Sequence, residues 1–141
     1  MIRATAVLLV VVFGFVLNAA AREFRVPGVP GKVYFKNLVT GAVVPNTFKV
    51  EFGVDGLRVR PAGEDPLDHM SGHYHLIIDG RPIPPGQPVP FDDRDLHFGK
   101  GETQAQITLP PGRHTLTLQF ADGAHFSYGA KWAATITVNV T

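Results

Sequence analysis

The sequence predicts an all-β domain, an Ig-like antiparallel β-sandwich of about seven strands, on three observations. Apolar residues in the longer segments recur with period two rather than 3.6. Turn dipeptides separate those segments at regular intervals. Twelve prolines spread through the chain leave no window for a long helix. About seven short alternating strands with regular turns is the Ig-like signature, and a jelly roll or small barrel is the competing all-β architecture.

The first segment is not part of this domain. Arg3 provides a positive start, residues 6–17 (AVLLVVVFGFVL) form an apolar run of about a dozen residues, and Ala19-Ala20-Ala21 offers a small-residue cleavage site. The run is too short for a membrane-spanning helix, which needs about 20 residues. Residues 1–21 are therefore expected to be a signal peptide cleaved after Ala21, with a mature protein that is periplasmic or secreted. Residues 22–31 (REFRVPGVPG) read as a linker, and 32–141 as the sandwich domain.

Within the domain, residues 47–54 (TFKVEFGV) put Phe48, Val50 and Phe52 on one face against Lys49 and Glu51 on the other. Residues 112–120 set Leu116, Leu118 and Phe120 against Thr115, Thr117 and Gln119, and residues 133–140 set Ala134, Ile136, Val138 and Val140 against polar neighbours. Residues 73–79 (HYHLIID) are apolar on both faces in their second half, as in a central strand. Residues 32–35, 57–60 and 104–109 are shorter candidates. In Ig lettering, 47–54 is B, 73–79 is C, 104–109 is E, 112–120 is F and 133–140 is G. The course of the proline-rich stretch 80–103 is left open.

Composition excludes several classes of function. With no cysteine, the chain has no thiolate ligand, iron–sulfur cluster, blue-copper site or cysteine nucleophile, and its core holds by packing alone. Without Arg3 the charges balance at twelve basic and twelve acidic residues, with no basic patch for nucleic acid or an anionic membrane surface. No phosphate-cradling glycine loop or nucleophile-elbow serine is present, and Ser71 and Ser127 lack that context. An enzyme is not expected.

The chemical resource is six histidines. Residues i and i+2 of a strand share a face about 6.5 to 7 Å apart, so His73 and His75 can converge on one ion with nitrogens at roughly 2.0 to 2.1 Å. Sandwich topology adds His125 from the F–G loop and His97, expected just before strand E at the same end. The expected metal ligands are His73, His75, His97 and His125, with His69 at the rim. Zinc or copper(II) suits imidazole, and Met70 would add a thioether for copper(I). Glu64, Asp65 and Asp68 are candidate carboxylate ligands or ring-orienting partners. His114 belongs at the far end, bonding back across the E–F turn. The i, i+2 spacing alone is equally compatible with structural imidazoles bonded to loop carbonyls.

Three strings, GHYHLIIDG (72–80), LHFGKGET (96–103) and HTLTLQFADGAHFSYG (114–129), carry a resemblance. Together they resemble an exported bacterial family catalogued as domain of unknown function 4399, over roughly residues 32–141. The resemblance implies a compact β domain behind a signal peptide, with no established activity. The family's first motif usually has histidine where this chain has Tyr74. Tyr74 faces away from His73 and His75, so the pair survives, but a site needing three consecutive imidazoles does not.

Two functions follow. One is transition-metal binding by the four histidines. The other is a non-catalytic interaction module for an envelope protein, peptide or glycan, anchored by exposed Phe126, Tyr128 and Trp132.

Overall fold

The computed structural model describes residues 24–141. The expected signal peptide and its cleavage site lie outside the described residues. Among the described residues nine strands form: β1 (Lys32–Phe35), β2 (Ala42–Val44), β3 (Thr47–Asp55), β4 (Arg58–Val59), β5 (Ser71–Ile78), β6 (Asp95–Phe98), β7 (Gln104–Thr108), β8 (Gly112–Ala121) and β9 (Ala133–Val140). A 3-10 turn, Ala130–Trp132, leads into β9. Among the described residues no helix is long and apolar enough to cross a membrane.

The strands make a three-stranded sheet, β1-β3-β7, and a six-stranded sheet, β2-β9-β8-β5-β4, with β6 also on β5. In Ig lettering the small sheet is A-B-E and the large one runs G-F-C, which is the order of an Ig-like sandwich. Strands B, C, E, F and G each lie within two residues of their expected bounds. The sequence expectation of about seven strands did not include β2, and β6 falls in the stretch 80–103 that it left open. β2 has three residues between Gly41 and Pro45, too few for alternation to register. β6 has only four residues (Asp95 and His97 alternating with Leu96 and Phe98) inside the proline-rich stretch, too short a run to stand out. His97 precedes strand E as expected, and it stands within β6, paired to strand C.

The core follows the alternation. Phe48, Val50 and Phe52 of β3 pack with Tyr74, Leu76 and Ile78 of β5 and Leu116, Leu118 and Phe120 of β8. The Tyr74 ring lies 5.2 Å from Phe52 and 5.0 Å from Phe120, centroid to centroid. Each such side chain contributes roughly 1.5–3 kcal/mol of burial, and with no cysteine the fold rests on this packing.

The outer face of the large sheet decides where the site forms. An antiparallel sandwich commonly leaves this face to water, yet here all eight residues of β5 are buried. The stretch after β5, left open by the sequence, folds back across it. Ile83 donates its N–H to Gln119 Oε1, Ser127 donates its hydroxyl to the Ile83 carbonyl, and Thr117 donates its hydroxyl to the Gly80 carbonyl. Further along, the Gly86 and Val89 N–H groups donate to the Ser127 and His125 carbonyls, and Ser127 N–H donates to Gln87. The cover dries the face that carries His73 and His75.

Two of the three aromatic anchors expected for an interaction module are also corrected. Tyr128 is 1% exposed and Trp132 is fully buried. Tyr128 donates its hydroxyl to the Ser71 carbonyl and Trp132 its indole N–H to Pro27, so both are core residues.

Candidate metal centre

Three elements bring four imidazoles together. β5 supplies His73 and His75, which face outward while Gly72, Tyr74 and Leu76 between and beside them face the core. β6 pairs antiparallel with β5 and sets His97 directly opposite His75. Gly99, two residues on, leaves room for the His97 ring: a Cβ there would lie 2.1 Å from its Cε1 and 2.5 Å from its Nε2.

The fourth ring comes from a tight turn. Asp122 is fully buried, and its Oδ1 accepts the N–H groups of Ala124 and Phe126 while its carbonyl accepts that of His125. His125 itself adopts φ 68, a left-handed conformation that an L-residue other than glycine adopts at a cost. Val89 clamps the His125 carbonyl from the covering segment. The turn is thus held from both sides, which fixes where the His125 ring points.

The rings converge closely. Nε2 of His73 lies 3.0 Å from Nε2 of His75, and Nε2 of His97 lies 3.1 Å from Nε2 of His125. Ring centroids from His73 to the other three are 4.8, 5.0 and 4.9 Å. His73, His97 and His125 each offer a ring nitrogen within 4.8 Å of the others. His75 completes the group through its contact with His73 and its 5.0 Å ring approach to His97, and stands 6.0 Å from His125. Two nitrogens on one tetrahedral ion sit roughly 3.3 to 3.4 Å apart for bonds of 2.0 to 2.1 Å. The two observed nitrogen pairs are within a few tenths of an ångström of that spacing.

The family described as "Domain of unknown function (DUF4399)" matches residues 50–141, about two thirds of the chain, and this stretch contains all four histidines. The chain belongs to this family. No curated protein and no solved structure matches it.

In this DUF4399 domain burial keeps the inner rings neutral. His73 is pushed down to about 3, first by burial and then by the nearby His125 and His97. His75 is pushed down to about 2, by burial and then by His73, His97 and His125. His97 is lowered as well, by burial and then by His125. Neutral imidazoles keep a lone pair, which is the state a metal needs. Nδ1 of both His73 and His75 is buried with no hydrogen-bond partner among the described residues. These are the ring nitrogens opposite the converging Nε2 atoms, so the convergence itself rests on the Nε2 pairs.

The remaining candidates fall outside this set. Asp68 is occupied by Arg58 and by the Met70 N–H, and Asp65 pairs with Arg60 at 3.8 Å. Glu64 is exposed in its loop, and Met70 packs on the core. His69 makes no ring contact with the four among the described residues, and its Nδ1 is buried without a partner. His114 sits at the far end as expected, 2.9 Å from both Asp79 Oδ2 and the Pro110 carbonyl. Two acceptors ask for two ring N–H groups, and Asp79 accordingly raises its pKa. Sequence reasoning missed Gly99 and the organising role of Asp122. The Asp122-Gly123 turn signal was visible, but its carboxylate bonds require the folded loop.

Proposed function

We propose that this chain is an exported, non-catalytic domain that binds a divalent transition metal, zinc or copper(II), through His73, His97 and His125, with His75 as the fourth ring. The convergence of four imidazoles from β5, β6 and the 122–125 turn carries the reading. An all-nitrogen set without thiolate or carboxylate suits zinc and copper(II) over softer or harder ions. The neutral state of the inner rings favours binding near pH 7. The signal-like pattern of residues 1–21 supports a periplasmic or secreted location, where buffering, delivery or sensing of such ions takes place.

The test is a titration of the untagged protein with zinc and with copper(II) against a competing chelator, beside His73→Ala and His125→Asn. Asparagine tolerates the left-handed backbone, so the second variant removes the ligand and keeps the turn. The expected result is one equivalent bound at about micromolar or tighter affinity, weakened at least about a hundredfold in both variants. Affinity no better than that of a single exposed histidine, or binding unchanged in the variants, contradicts the reading.

A further inference from the structure

One rung along the same sheet face from His75 and His97, Ile77 of β5 lies opposite Asp95 of β6. Asp95 is only 9% exposed, and its Oδ1 is buried with no hydrogen-bond partner among the described residues. A carboxylate oxygen in that position is costly and calls for a reason. Asp95 also lines a cavity of about 210 Å³ between the ends of β5 and β6 and the returning segment. For scale, an enclosed space of about 150 Å³ accepts benzene.

The walls specify a ligand with both charges. Ile77 and Ile83 supply an apolar side, and Arg81 and Arg94 stand exposed at the cavity. Neither arginine closes an ion pair among the described residues. Asp79, the other carboxylate there, is already taken by the Thr115 N–H and by His114. Asp95 therefore offers a buried carboxylate oxygen that is open to a donor. A purely cationic ligand meets two arginines, and a purely anionic one meets Asp95. A ligand with an ammonium at one end and a carboxylate at the other satisfies both.

We propose that this cavity binds a small aliphatic zwitterion of α-amino-acid size, its ammonium donating to Asp95 Oδ1, its carboxylate paired with Arg81 and Arg94, and its alkyl chain against Ile77 and Ile83. This site lies one rung from the histidines, shares no side chain with them and does not depend on a metal.

The probe is L-leucine, titrated into metal-free, isotope-labelled protein and followed by amide NMR shifts. N-acetyl-leucine, which lacks the ammonium, and leucinamide, which lacks the carboxylate, are run in parallel. Saturable shifts centred on residues 77–83 and 94–95 are expected with leucine, and binding weaker by at least about tenfold with each analogue. Asp95→Asn should weaken leucine by a similar factor while keeping its thermal midpoint. Arg94→Gln, at an exposed position, supplies the same test should the buried variant misfold. No saturable shift up to ~20 mM leucine, or equal binding of the acetylated analogue, overturns the proposal. So does undiminished binding in a folded Asp95→Asn or Arg94→Gln protein.

Discussion

At the scale of single residues, Gly99 is as much a part of the metal centre as the ring it touches. Alanine there would place a methyl group 2.1 Å from His97 Cε1, and the imidazole would have to turn away. Gly99→Ala is expected to weaken metal binding by about tenfold or more while costing the metal-free protein under about 1 kcal/mol, read by chelator competition and a denaturant melt. The buried rings make a second prediction. In the unfolded chain His73 and His75 take protons near pH 6.5, but in the fold they do so only at about 3 and about 2. Below pH 6.5 the unfolded state thus binds more protons, and stability falls with acidity by about 1.4 kcal/mol per pH unit for each ring. His114 works in the opposite sense, since its raised pKa adds stability below pH 6.5 that fades as pH rises through its folded value. Being partly exposed, it offsets little. Urea melts of metal-free protein should lose about 2–3 kcal/mol between pH 7.5 and 5.5, and His73→Gln/His75→Gln should flatten that slope. A flat wild-type profile would mean that the rings are not held neutral. The His73–His75 pair was legible from its i, i+2 spacing. The bare Nδ1 atoms were not, because they depend on which chain segments cover the face.

Among the elements, the strands with one polar face announced themselves. Lys49 and Glu51 against Phe48, Val50 and Phe52 place β3 on sight, and Leu116, Leu118 and Phe120 place β8. β6 does alternate, Asp95 and His97 against Leu96 and Phe98, but four residues within a proline-rich stretch are too few to stand out. His97 was thus placed before strand E and near the right neighbours, but not on a strand of its own. The covering segment was equally silent: it is held by backbone bonds to Ser127 and His125, which no local pattern encodes. The 122–125 turn is the element on which the site most depends. Asp122→Ala leaves the Ala124 and Phe126 N–H groups without their acceptor and frees His125 from its left-handed position. A loss of about 1–3 kcal/mol is expected by urea melt, with metal affinity falling further than the stability change alone explains. Unchanged affinity in a folded Asp122→Ala protein would show that the turn does not position His125.

For the whole molecule, a sandwich without disulfides gains from any ligand that binds only its folded state. Metal at a hundred times its dissociation constant adds about 2.7 kcal/mol, which should raise the melting temperature by roughly 10 °C for a domain of this size. A scanning melt with and without zinc checks this, and no shift under saturating metal would mean that the ion does not bridge β5, β6 and the turn. The sandwich class was readable because period-two alternation and turns are local signals. The closure of its outer face over four imidazoles was not, since it joins residues from 73 to 125 by tertiary contact alone. The most direct test of the central claim is X-ray absorption at the zinc edge on protein loaded with one equivalent. Three to four imidazole nitrogens at about 2.0 to 2.1 Å are expected, with no sulfur in the shell. A shell dominated by oxygen, or one with a single imidazole, would contradict a metal centre built from these histidines.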